Sequence, residues 1–279
     1  MIEICNLTKR YGKKTILSDI SVTMKPGTVY GLVGANGSGK TTLMRCICGF
    51  TQPTFGKITV NGTQIGKDVD FPQNTGIIIE TPGFLPYYSA SQNLKLLISD
   101  KTIDKNKEIA RVLSLVHLNP SERKPVEQYS LGMRQRLGIA QALLGDPEIL
   151  ILDEPFNGID KSGVLELHRL IARLKNEGKL ILLASHSEMD IIQSCDEVYE
   201  IKDGILMTMQ KCGKEVKENK RYSDLMTELY RELNKPESNV DVLKINQVLT
   251  ELDSHLSQPQ NRFDGADLYN QILSKIEEQ

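Results

Sequence analysis

Six short apolar runs punctuate the chain up to about residue 204: VYGLVG from 29, KITVNG from 57, GIIIE from 76, EILILDEP from 148, KLILLASH from 179 and EVYEIKDG from 197. Each is rich in Val, Ile, Leu or Tyr, and longer stretches with helical spacing separate most of them. Such alternation predicts an α/β fold with a mostly parallel core sheet covered by helices. Beyond residue 212 the pattern changes to helical spacing alone, interrupted at Asn234-Lys-Pro236 and Gln258-Pro-Gln-Asn261. Ile245, Val248, Leu249, Leu252 and Leu256 recur on one helical face, and Leu268, Ile272, Leu273 and Ile276 form a second stripe. Stripes of this kind read as packing faces. The sequence is therefore expected to form one domain over 1–212 and a helical extension over 213–279.

The turn after VYGLV carries the strongest chemical signal. Gly34-Ala-Asn-Gly-Ser-Gly-Lys-Thr41 fits G-x-x-x-x-G-K-[ST] and stands between a strand run and a helical run, as a phosphate-binding loop requires. Glycines at 34, 37 and 39 allow the backbone to curl with its N–H groups facing an anion, and the next helix offers its N-terminus to the same charge. Candidate nucleotide-binding residues are Gly34, Asn36, Gly37, Ser38, Gly39, Lys40, Thr41 and Thr42. Lys40 is expected to reach the β- and γ-phosphates, and Thr41 to hold Mg²⁺. A second strand run ends in adjacent carboxylates, Asp153 and Glu154. Alternating strand residues face opposite ways, so the two are expected to divide the work: Asp153 toward Mg²⁺, Glu154 as general base for an attacking water.

Composition narrows the partners. The chain has 279 residues, 39% hydrophobic and 25% charged, with a formal charge of −2, so no basic excess points to nucleic acid. No apolar run approaches the roughly 20 residues that cross a bilayer. The N-terminal MIEICNLTKR has neither the apolar core of a signal peptide nor the bias of a transit peptide, which predicts a cytoplasmic location. Cysteines at 5, 46, 48, 195 and 212 lack metal-ligand spacing. They, with His117, His168 and His255, read as structural or incidental.

Between the two phosphate motifs lies Tyr129-Ser-Leu-Gly-Met-Arg-Gln-Arg-Leu137. With it, residues 1–210 resemble the ATP-binding subunits of ABC transporters: a P-loop nucleotide-binding domain with an antiparallel β subdomain and a helical subdomain, here about 84–145. Ser130 and Gly132 match the serine and second glycine of that family's signature, and Gln135-Arg136 its continuation. Leu131 and Met133 depart from the usual glycine and glutamine. The resemblance further implies Tyr11 as the aromatic that stacks on adenine, Asp160 at the end of the loop that meets the opposite subunit, and His186 as the histidine at the γ-phosphate. Glu80 stands where most relatives carry a Mg²⁺-coordinating glutamine that opens the loop sensing the membrane partner.

Glu80, YSLGMRQR and ETPGFLPYYSASQNLKLL together resemble the branch that serves bacitracin and lantibiotic resistance or immunity. What this implies is an ATPase that closes into a head-to-tail dimer over two ATP molecules, each covered by Ser130 and Gly132 of the opposite subunit. It would drive a separate transmembrane permease from the inner face of the cell membrane. The rival reading is a soluble ABC-type ATPase that acts as a mechanical clamp in a cytosolic complex.

Overall fold

The computed structural model describes residues 1–80, 83–98 and 104–209, with Gln247 and Thr250. The chain divides into two compact units, Met1–Cys212 and Gly213–Gln279. Gln247 and Thr250 are helical. The two stripes and both interruptions read from the sequence of the second unit, and the residues Cys212 and His255, lie outside the described residues.

The strands of the first unit are β1 (Ile2–Tyr11), β2 (Lys14–Met24), β3 (Val29–Val33), β4 (Phe55–Val60), β5 (Thr63–Gln64), β6 (Thr75–Ile78), β7 (Ile149–Asp153), β8 (Leu180–Ala184), β9 (Glu197–Lys202) and β10 (Ile205–Met209). Its helices are α1 (Lys40–Ile47), α2 (Ala90–Leu97), α3 (Lys105–Leu115), α4 (Leu131–Ala142), α5 (Lys161–Asn176) and α6 (Glu188–Ser194). Two sheets result, ordered β2-β1-β4-β5 and β10-β9-β3-β8-β7-β6. In the larger sheet β9, β3, β8, β7 and β6 run parallel, and only β10 is antiparallel.

Five of the six apolar runs form the parallel strands, whereas KITVNG belongs to the small antiparallel sheet as β4. The first two strands escape the apolar-run criterion for a physical reason. Their sheet buries one face only, and the ladder between them shifts register three times. Asn6 and Asp19 interrupt the alternation in left-handed conformations at φ 49° and 51°, and the Asn6 amide donates to the Asp19 carboxylate at 2.9 Å. Bulges of this kind re-aim side chains and erase the period of two on which strand recognition rests.

The parallel sheet separates two hydrophobic cores. Leu150, Leu152, Ile181 and Leu183 face the core built with α2 to α5. Ile149, Ile151, Leu180, Leu182 and Ala184 face the other, built with α1 and the antiparallel sheet. Burial on both faces explains why these strands read as unbroken apolar runs rather than alternating ones.

Between β6 and β7 the described residues form α2, α3 and α4. Ser89 and Gln92 form a reciprocal capping box at the start of α2. Buried Asn93 accepts from the Leu85 N–H at 2.8 Å and donates to the carbonyls of Leu85, Tyr88 and Ser89, which pins the chain leading into the helix. Helix α4 lies so close to β6 that a Cβ on Gly76 would overlap the Ala142 carbonyl. Because neither backbone can give way cheaply, Gly76→Ala should destabilise the fold by about 1–3 kcal/mol. Urea unfolding tests this: a lower midpoint at unchanged slope is expected, and an unchanged midpoint would show that the strand and helix can separate freely.

Candidate functional site

Four parallel strands that are neighbours in the sheet, β3, β8, β7 and β6, end on the same edge. Their following turns deliver the P-loop, His186, Asp153 with Glu154, and Glu80. Ligands of open α/β sheets bind at this carboxyl edge, where backbone turns and helix N-termini meet.

The P-loop has the conformation its glycines permit. Gly34, Gly37 and Gly39 take φ of 143°, 79° and 116°. At Gly34 a Cβ would overlap the Ile201 carbonyl, and at Gly39 it would come within 2.7 Å of Leu17, so neither position accepts a side chain. Gly39 is the N-cap of α1 and supplies no side-chain acceptor, leaving the first-turn N–H groups to another partner. Lys40 is 7% exposed and its ammonium donates to the carbonyls of Gly34 at 2.6 Å and Ala35 at 3.3 Å. The buried Ser38 hydroxyl has no partner among the described residues. An orphaned hydroxyl, uncapped N–H groups and a lysine wrapped by its own loop make a cradle suited to phosphate oxygens. Asn36 is exposed, and Thr42 is half-buried.

Asp153 ends β7 on the face shared by Ile149 and Ile151, the face toward α1. There the Thr41 hydroxyl donates to its Oδ2 at 2.7 Å. Burial raises the Asp153 carboxyl above the usual range; the Thr41 hydrogen bond and Lys40 oppose the rise, while Glu154 and Glu80 add to it. A hydroxyl and a carboxylate oxygen this close form a donor pair suited to a hard cation, which would complete its shell with phosphate and water oxygens. The residues present therefore fit Mg²⁺ through Thr41 and Asp153. Among the described residues no group of three or more His, Cys, Asp and Glu could hold a metal by itself.

Glu154 lies one residue past the strand. It is turned by a left-handed φ of 51°, not by the pleat, which corrects the strand-alternation argument for how the two carboxylates diverge. Its N–H donates to the Ala184 carbonyl at 2.8 Å, holding the ends of β7 and β8 abreast. His186 Nδ1 lies 2.7 Å from Glu154 Oε2, which also accepts from the His186 N–H at 3.3 Å.

Glu80 is not at a strand tip. Strand β6 ends at Ile78, and Glu80 sits in a bend at φ 65° with its carboxylate ion-paired to Arg45 in the last turn of α1. No sequence pattern marks this partner, because Arg45 is 35 residues away and its own helix shows no acidic residue at pairing distance.

The remaining candidates sit on other elements. Tyr11 closes β1 at the hairpin with Lys14, 51% exposed, with the Lys9 ammonium over its ring at 4.8 Å. Ser130 is the N-cap of α4 and accepts from the Met133 N–H at 3.2 Å. Gly132 lies against the loop that follows β7, where a Cβ would come within 2.7 Å of the Gly158 carbonyl. Asp160 is the N-cap of α5 and accepts from the Ser162 hydroxyl at 2.5 Å. Cys46 and Cys48 are both buried, and burial pushes their thiols up to about 11 and about 12, so they act as core residues.

The ABC transporter family profile matches residues 17–157. YybJ of Bacillus subtilis, an ABC transporter ATP-binding protein, is 46% identical over 76% of this chain and 97% of its own. The bacitracin transport ATP-binding protein BcrA of Bacillus licheniformis is 39% identical over 80% of this chain and 73% of its own. The lantibiotic transport ATP-binding protein SrtF of Streptococcus pyogenes is 37% identical over 77% and 93%. Among solved structures, a dimeric post-hydrolysis ATP-binding cassette bound to ADP and phosphate superposes with a TM-score of 0.68 at 22% identity, over 76% of this chain and 98% of that one. The chain belongs to the ABC transporter family, as an ATP-binding subunit that hydrolyses ATP.

Proposed function

We propose that this subunit drives a separate transmembrane permease that exports, or removes from the membrane, a peptide antibiotic. The carrying observation is that the P-loop, the Thr41–Asp153 pair and the Glu154–His186 pair share one sheet edge, which brings this chain's own groups for ATP hydrolysis together. In this reading Gly34 to Thr42 hold the phosphates and Tyr11 stacks on adenine. Asp153 and Thr41 hold Mg²⁺, with Glu80 beside them on the segment that leads toward the permease. When bound, Mg²⁺ supplies charge neutralisation at the β- and γ-phosphates. Glu154 takes the proton of the attacking water as that water bonds to the γ-phosphorus and ADP leaves. His186 keeps the carboxylate aimed through the contact of Nδ1 with Glu154, and the same ring meets the γ-phosphate.

Ser130 and Gly132 would complete the site of a second copy or a homologous subunit; a cassette to which the fold is similar is itself dimeric. Among the described residues no helix is long and apolar enough to cross a membrane, so transport needs a partner that does. Leu85, Tyr87, Tyr88, Leu96 and Leu97 remain 42–79% exposed in the segment that follows Glu80, and exposed apolar side chains in such number fit a protein contact. Docking there would place the subunit on the inner face of the membrane. The names of BcrA and SrtF support the substrate class, and neither favours the cytosolic clamp.

Co-expression with a neighbouring multi-spanning protein tests the reading. Stable co-purification with an altered ATPase rate is expected, and a subunit that hydrolyses ATP alone and binds no such protein would overturn it. Glu154→Gln should keep ATP binding and lower turnover about 10²- to 10⁴-fold; near-normal turnover would remove Glu154 from the role of base. Tyr11→Ala should raise the Kd for ATP by the factor that about 1–3 kcal/mol of base stacking represents, while Tyr11→Phe stays near wild type. Equal affinities in fluorescent-nucleotide titrations would place adenine elsewhere.

A further inference from the structure

The loop from Glu154 to Asp160 is held at both ends by consecutive residues of one helix. Gln135 Nε2 donates to the Glu154 backbone carbonyl at 3.1 Å. Arg136 meets the Asp160 carboxylate at 3.4 Å, and its other amino group donates to Glu166 at 3.1 Å and to the Val116 carbonyl at 3.2 Å. Neighbouring residues point about 100° apart around a helix, so 135 and 136 can grip two places on the same loop. Nearer the start of α4, Gly132 lies against Gly158 of that loop.

Glu154 needs such support. A left-handed φ in a residue with a long side chain costs on the order of 1–3 kcal/mol and persists where neighbours over-determine it. Three hydrogen bonds do this here: the Glu154 N–H to Ala184 on one side of the residue, and on the other the Asn157 N–H at 3.2 Å and Gln135 Nε2, both to the Glu154 carbonyl. Fixing both peptides fixes the Cα–Cβ bond between them, the base from which the carboxylate makes its 2.7 Å contact with His186.

We propose that Gln135 is a positioning residue for ATP hydrolysis, holding the Glu154 peptide so that the carboxylate faces His186 and the attacking water. The inference rests on the reading of Glu154 as general base. It also makes α4 a mechanical link, because the helix that begins at Ser130 ends its first turns on the subunit's own Glu154. Movement of the Ser130 end is then felt at the base of the same chain.

The test compares Gln135→Glu, which keeps the shape and loses the donor, with Gln135→Lys, which keeps a donor. Gln135→Glu should lower kcat about 10- to 10²-fold, as expected for a misplaced reacting group, with KM for ATP within about twofold of wild type. Gln135→Lys should recover most of that loss. In a Glu154→Gln background, Gln135→Glu should cause no further loss. Hydrogen exchange on the nucleotide-free protein should be faster over 156–160 in Gln135→Glu and unchanged in β7 and β8. If Gln135→Glu fails to fold, Gln135→Met serves as the variant without a donor. Wild-type kcat in the donorless variant, alongside an inactive Glu154→Gln, would overturn the positioning role and leave the base in place. An equal additional loss in the Glu154→Gln background would overturn it too, as a merely structural effect. Full turnover in Glu154→Gln would overturn the base itself and the inference with it.

Discussion

A carboxylate that is only 8% exposed, Asp153, sits at the end of a strand buried along its whole length. Charged groups lose heavily on leaving water, and this one has two further carboxylates, Glu154 and Glu80, raising its proton affinity. The Thr41 hydroxyl and the Lys40 charge compensate in part. Such a site gains most from a cation with polyvalent anions attached, so the electrostatic imbalance at β7 and the anion cradle after β3 are complementary halves of one binding problem. Either half alone would be a liability; together they make ligand arrival a large local gain. The remainder of the fold brings those halves to the same sheet edge.

The topology does this economically. Neighbouring parallel strands end level with one another, as the pairing of Asp153 with Ala184 shows, so residues far apart in sequence arrive side by side without long loops. Two of the residues that turn off this edge, Glu80 and Glu154, do so in left-handed conformations that side chains other than glycine rarely adopt. Strain concentrated where chemistry is done, on a scaffold whose strands are packed on both faces, is how a rigid sheet can hold side chains at angles a relaxed loop would not keep.

Those same angles mark the boundary of what the sequence disclosed. Strands buried on both faces, such as EILILD and LILLA, announce themselves by composition, and the P-loop does so because few backbones other than one lined with glycines can make its curve. Strands β1 and β2 did not, because Asn6, Asp19 and the register shifts break their alternation. The separation of Asp153 from Glu154 was legible, but its cause was a turn rather than a pleat. Gln135 and Arg136 stood out only as part of a motif; their contacts lie 19 and 24 residues away, and no local periodicity encodes a distance of that kind. Tertiary hydrogen bonds to a backbone carbonyl leave no residue-type trace on the acceptor side.

The Arg45–Glu80 pair carries a mechanical consequence. Lys40 and Arg45 belong to the same helix, five residues and so about 8 Å apart along its axis. A hydrogen-bonded rod that short does not bend appreciably, and any tilt or advance at its phosphate end reappears at its far end. The guanidinium there holds a carboxylate that is 62% exposed, through a surface ion pair of the kind worth about 1 kcal/mol or less. A linkage this weak adds little resistance to movement. It behaves as a follower resting on a cam: the segment at residue 80 can track the displacement of the nucleotide cradle, and can let go of it, at a small fraction of the energy that nucleotide binding releases.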